Sequence, residues 1–326
     1  MTATGRRALL ALSVTPAVTP GRAGAQGFPS RPITWVVPFP PGNIADATAR
    51  VFAPRLGQAL GRAVVVANRP GAAGTIGAEA VARAAPDGHT LLYGGLGQIA
   101  AAPHLFPGLR FDPSRDLAPV HGLGASPTLI VVGAERPWTL LAEFVAAARG
   151  RPEGLVYASP GIGTVPHLAA ELLQRVAGVR LAHAPYVDTA QMSQDVMGGR
   201  VDAAWDWPLS AEPHLREGRL RALAVTDFDR VRLVPDVPTL QEAGFRGAEM
   251  RAWSGAFVPA RTPPAVVARL AAALREVLLD PAVRAFFDGT GIALWPGMDT
   301  ERFGAFLSEE LPRIAALIAR VGAAPR

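Results

Sequence analysis

From Ile33 onward, short runs of β-branched and aromatic residues alternate with longer stretches whose apolar positions recur every three or four residues. Residues 33–37 read as a strand, and residues 46–60 then carry Ala49, Val51, Phe52, Leu56 and Leu60 in the spacing of one buried helical face. Strands at 64–66 and 90–93 flank a second helix at 76–85. This β-α-β-α-β order predicts a parallel, doubly wound sheet with helices on both faces.

A second unit of the same kind follows. Residues 129–132 form the strand that leaves the first domain, 140–148 are helical, and 155–157 are a strand ending at a glycine-rich loop. Further strands at 201–205 and 220–225 flank a helix at 192–197. The chain then returns through a strand at 253–258 to two amphipathic helices, 266–278 and 301–321, the second of which Pro312 should kink. Two α/β domains joined by two crossings leave a cleft between them, and such clefts, at the carboxyl ends of strands, are where small ligands bind.

The first 25 residues follow a different rule. Arg6-Arg7 precede the apolar residues 8–14, and Ala23-Gly24-Ala25 has the small-x-small form that a signal peptidase accepts. Residues 1–25 are therefore expected to be a secretory signal, by either the general or the twin-arginine route, and the mature protein is expected to be exported. No later segment has the roughly 20 apolar residues of a membrane span. Cysteine is absent, which excludes disulfides and thiolate metal sites. All basic residues are arginine; of the net charge of +5, three charges (Arg6, Arg7, Arg22) lie in the signal. The remainder has no cluster of cations with interleaved aromatics, so a nucleic-acid partner is not expected.

The chemistry concentrates in "ASPGIGTVPH", residues 158–167. A hydrolase would hold Ser159 in a G-x-S-x-G elbow, which is missing, and nothing in the spacing brings His167 to its hydroxyl. A dinucleotide fingerprint wants glycine where Pro166 stands, Gly71-Ala72-Ala73-Gly74-Thr75-Ile76-Gly77 has the wrong spacing, and a chain without lysine cannot build a phosphate-binding P-loop. What remains is an anion loop: a strand, a glycine-rich turn, and a helix capped by Thr164, with free N–H groups and a helix dipole in place of a formal cation. "VPFPPGNIAD", residues 37–46, repeats that architecture in the first domain. Trp205, Trp207 and Trp253 are candidates either for a ligand wall or for packing between domains. His104, His121, His183 and His214 have no metal-ligand spacing, so neither a metal nor a cofactor is expected.

The segments "PSRPITWVVPFPPGNIADATAR", "VVVANRPGAAGTIGAEAVARAAPDGHTLLYG", "YASPGIGTVPHLAAELL", "GGRVDAAWD", "GRLRALAVT", "PDVPTLQEAG" and "WSGAFVPARTPP" together resemble the periplasmic substrate-binding proteins of tripartite tricarboxylate transporters, the Bug receptor family. The resemblance covers nearly all of the chain after the signal. It implies a Venus-flytrap receptor without catalysis, with residues 26–127 and 252–326 in domain one and 128–251 in domain two. Such a receptor captures a small carboxylate or amino acid and docks transiently on membrane transporter subunits; a monomer is expected. Carried over residue by residue, the ligand loops fall on Phe39, Pro41, Gly42, Asn43 and Asp46, and on Ser159, Gly163, Thr164 and His167; Tyr186, Trp205 and Asp206 match further cleft segments. Asn43 replaces the family's usual second glycine, and Val187-Asp188 a common basic-glycine pair. If Asp188 or Asp206 faces the cleft, an amino or hydroxy acid is favoured over a tricarboxylate. Two alternatives remain: a sensor subunit for a membrane regulator, and a hydrolase or lyase using Ser159, His167 and Asp206.

Overall fold

The run Ile33–Val37 forms strand β1, apolar and almost wholly buried as an inner strand must be. Asn43 stays extended at φ −79° and ψ 171° and caps α1 (Ile44–Leu60), which Gly61 closes with a left-handed φ of 72°. The structure is a computed structural model that describes residues 27–321 apart from Pro107, Pro152, Glu153 and Val187; the expected signal lies outside the described residues.

The chain continues through β2 (Val64–Asn68), α2 (Thr75–Ala82), β3 (Thr90–Gly95), a π-helical turn at Gly97–Ala101, α3 (Ala102–Leu105), α4 (Pro113–Asp116) and β4 (Leu117–Pro127). It then crosses into a second lobe of β5 (Leu129–Gly133), α5 (Leu141–Arg149), β6 (Leu155–Ser159), α6 (Val165–Ala177), β7 (Leu181–Pro185), α7 (Thr189–Met197), β8 (Ala203–Asp206), α8 (Pro208–Arg216) and β9 (Leu220–Val225). The return adds β10 (Arg251–Pro259), α9 (Pro264–Leu279), α10 (Pro281–Asp288), β11 (Ala293–Leu294) and α11 (Thr300–Val321) to lobe one. Helix α11 runs unbroken through Pro312.

Lobe one is a sheet of order β11-β4-β10-β3-β1-β2, and lobe two one of order β7-β6-β8-β5-β9. Both are mixed, which corrects the wholly parallel sheets that the strand-helix alternation predicts. β10 lies antiparallel between β3 and β4, and β5 lies antiparallel between β8 and β9. The reason is topological: a strand that arrives through a crossing starts at the lobe boundary, where its neighbours end, and must run the other way. The carboxyl ends of β1, β2 and β3 and those of β6, β7 and β8 consequently all point at the boundary.

Thr226 ties the crossings together. Its N–H donates to Thr128 O at 2.9 Å, its carbonyl accepts Met250 N–H at 2.7 Å, and its hydroxyl accepts from Thr128 N–H while donating to Met250 O at 2.6 Å. On one side of the molecule a single apolar cluster spans both lobes, from Leu92, Ile99 and Leu105 through Ile314 and Ile318 of α11 to Leu168, Tyr157 and Trp205. The other faces are separate: α1, α9 and α10 cover lobe one, and α7 and α8 cover lobe two.

Candidate functional site: two anion loops across the lobe boundary

Loop one links β1 to α1. Asn43 Oδ1 accepts the Asp46 N–H at 2.9 Å, and the Asp46 carboxylate accepts Gly42 N–H, Arg50 Nε and Asn68 Nδ2, each at 2.9 Å. These bonds, first among them the Arg50 guanidinium, hold the Asp46 carboxyl down to about 2. Asp46 is buried and fully engaged, so it braces the loop. Phe39 O accepts a further N–H from Asn68, while Pro41 and Gly42 stand exposed at the tip.

Loop two links β6 to α6. Thr164 caps the helix as its sequence position predicts: its hydroxyl donates to Gly161 O at 2.7 Å and receives His167 N–H at 3.5 Å. Gly163 N–H donates to His167 Nδ1 at 3.2 Å. Beneath the loop, Tyr157, His183 and His167 form a ladder of rings, with centroids 4.7 Å and 4.5 Å apart. Ser159 Oγ shares a 2.7 Å hydrogen bond with His183 Nε2, and Tyr157 donates to Glu171 Oε1. Burial pushes both imidazoles down to about 4, so they are neutral near pH 7.

The donors left over mark a candidate site. Among the described residues, the N–H groups of Asn43, Ile44 and Ala45 in loop one, and of Ile162 and Val165 in loop two, take no partner. Each set lies at the positive end of a helix dipole, and neither loop contains a cation. Loop two also reaches lobe one. Gly163 has a φ of 78°, and a Cβ there would sit 2.7 Å from Leu105 Cδ1 of α3. Only glycine satisfies both the conformation and the gap.

Several expected site residues have other duties. Trp205 is 0% exposed, packed against Phe144 and Tyr157 under α5; it belongs to the core of lobe two and offers no surface to a ligand, which corrects its assignment to the cleft. Asp188 caps α7, accepting from Ala190 and Gln191 N–H. Asp206 is buried, accepts from Trp207 N–H at 2.7 Å and Ser210 Oγ at 3.0 Å, and is pushed up to about 6 by burial. With both carboxylates engaged, they give no reason to favour an amino or hydroxy acid. Tyr186 is half-buried and donates to Asp195 at 2.8 Å. Ser159 and His167 do not pair; the imidazole that reaches Ser159 comes from β7, 24 residues downstream.

A third loop escaped sequence reasoning. Between β2 and α2, Ala72 and Ala73 both hold positive φ values, 46° and 54°, and Gln98 of the π-turn donates to Ala73 O at 2.9 Å. Successive left-handed L-residues are strained, and such strain gathers where a backbone has work to do. The available signal was "PGAAGT", whose glycines flank residues that must follow their turn. Among the described residues no helix is long and apolar enough to cross a membrane, and no group of three His, Cys, Asp or Glu could hold a metal ion.

Comparison with known proteins gives the family of the chain. The family described as "Tripartite tricarboxylate transporter family receptor" matches residues 48–323. The "UPF0065 protein in tcbD-tcbE intergenic region" of Pseudomonas sp. (strain P51) is 40% identical over 283 residues, 86% of this chain and 84% of that protein. MatC from Rhodopseudomonas palustris, solved with bound malate, is 35% identical with a TM-score of 0.76, covering 89% of this chain and 100% of MatC. The R. palustris protein Rpa4515, solved with adipate, is 31% identical with a TM-score of 0.79, covering 92% of this chain and 100% of that one. The chain belongs to the tripartite tricarboxylate transporter receptor family.

Proposed function

We propose that this protein is an exported receptor that binds a small carboxylate between its two lobes and presents it to a membrane transporter. The observation that carries the reading is the pair of loops, one per lobe, with five partnerless N–H groups between them and no cation in either. Hydrogen bonds to a charged acceptor contribute roughly 1.5–3 kcal/mol each, so a few suffice for micromolar binding after the entropy of association. MatC with malate and Rpa4515 with adipate show the fold holding two different acids, which supports the ligand class without selecting a member. Binding without turnover is part of the proposal. Ser159 is fully enclosed and bonded to His183 of β7, and Asp206 serves Trp207 and Ser210, so Ser159, His167 and Asp206 of a hydrolase reading do not assemble.

Calorimetric titration of the mature, monomeric protein with mono- and dicarboxylates tests the reading. Saturable binding, with the acid recovered unchanged, is the expected result. Binding of neutral sugars or amines in place of any acid would overturn it. Export is tested separately by the N-terminus of the periplasmic product, expected at Gln26. Delivery to a transporter, as opposed to a sensor, is tested by whether deleting the receptor abolishes uptake of the bound acid.

A further inference from the structure

We propose that the cleft selects a carboxylic acid with an apolar body, aliphatic or aromatic, and that Ile44 and Ile162 are the side chains that read that body. The inference rests on the carboxylate reading of the two loops. Ile44 is the first residue of α1 and Ile162 the tip of loop two; each carries one of the partnerless N–H groups, and the two residues are 44% and 67% exposed. Donor and apolar surface thus belong to the same residue. An amide nitrogen and its own Cβ are both bonded to one Cα, so a carboxylate seated on either N–H group has that residue's isoleucine side chain within reach of its next carbons. Both side chains are β-branched and stiff, and meeting a ligand costs them little rotamer freedom.

The hydroxyl side chains of loop two and the Asp188 carboxylate are already engaged. The Ser159 and Thr164 hydroxyls are committed to His183 and Gly161, and Asp188 to the α7 amides, so a hydroxyl or second carboxylate on the ligand meets no partner from these groups. A buried polar group without a partner is costly, whereas a methylene is favoured. Ile162 also sits between Gly161 and Gly163, whose φ values of 131° and 78° set the turn without help from its side chain.

The test is a titration series of acetate, butyrate, hexanoate and benzoate against malate and citrate, on the wild type and on Ile162→Thr and Ile44→Thr. Affinity is expected to climb about three- to fourfold per buried methylene, with hexanoate and benzoate at least tenfold tighter than malate. Each substitution should flatten the chain-length slope, with a loss of affinity that grows from acetate to hexanoate. Unchanged unliganded melting points establish that the variants fold, and either variant alone carries the comparison. Malate or citrate binding as tightly as hexanoate, or an unchanged slope in both variants, would overturn the inference while leaving the carboxylate reading intact. Binding of no acid at all would overturn both.

Discussion

Asp206→Asn should remove a pH-dependent stability term of predictable sign. The carboxyl is 1% exposed and lies at the end of β8 beside the crossing into lobe two. Burial raises it from 3.8 to about 6, against the weaker opposing pull of the Trp207 N–H and Ser210 hydroxyl. Because the folded value lies above the unfolded one, the protonated form stabilises the fold at low pH, and that contribution is lost as pH rises from about 4 through about 6. A shift of about two units corresponds to about 3 kcal/mol, each unit being worth about 1.4. His167 and His183 act in the opposite sense, since their folded values near 4 cost stability as pH falls below the ordinary histidine range. The wild-type curve mixes the two effects, and the difference between wild type and variant separates them. Asparagine keeps an acceptor for Trp207 N–H and offers Ser210 a donor. Urea titrations from pH 4 to 8 should therefore find the variant more stable by about 3 kcal/mol at pH 7 and above, with the gap closing by pH 4. Parallel curves across that range would refute the burial argument.

Gly163→Ala should weaken ligand binding by about tenfold or more, because it forces an L-residue to φ 78° and pushes a methyl into Leu105; adding Leu105→Ala should restore part of the loss in a double-mutant titration. Ser159→Ala leaves the half-buried His183 Nε2 without its partner and should cost about 1 kcal/mol in chemical denaturation. Thr226→Val removes the hydroxyl that bonds Thr128 and Met250 and should lower the melting point by several degrees, as a loss of about 2–3 kcal/mol requires. Small-angle scattering with saturating ligand should give a smaller radius of gyration, the lobes turning about Pro127–Leu129 and Met250–Trp253; an identical profile would mean that the site is rigid.

The regular elements were legible where local chemistry sufficed. The apolar period over α1, α9 and α11 and the β-branched runs of β1 and β5 mark those elements directly. Strand β4 was not legible. "LAPVHGLGASP" alternates nothing, and it is extended because β10 and β11 pair with it and because Gly122 and Gly124 leave room for Met298 and Ala293 O. Strand direction likewise depends on where the chain crosses, which no window of sequence contains. At the site, the cap Thr164 could be read from spacing, since a cap is a contact over three residues. The partner of Ser159 could not, because β6 and β7 bring His183 alongside only through sheet pairing. Trp205 was misplaced for a related reason: alternation along a strand tells two faces apart without saying which one is inside.

The position of β10 between β3 and β4 has a consequence for the order in which the molecule can be assembled. When a growing or translocating chain has reached residue 250, every strand of lobe two is present, but the sheet of lobe one lacks an inner strand. Until β10 arrives, the facing edges of β3 and β4 are both open, with Leu91 and Leu92 of β3 and Val120 and Leu123 of β4 among the apolar groups not yet enclosed. Open apolar edges are templates for pairing with other chains. The first half of lobe one must therefore be kept apart from its neighbours until the last quarter of the chain has emerged, so the step most exposed to aggregation lies early in the sequence while its cure lies late.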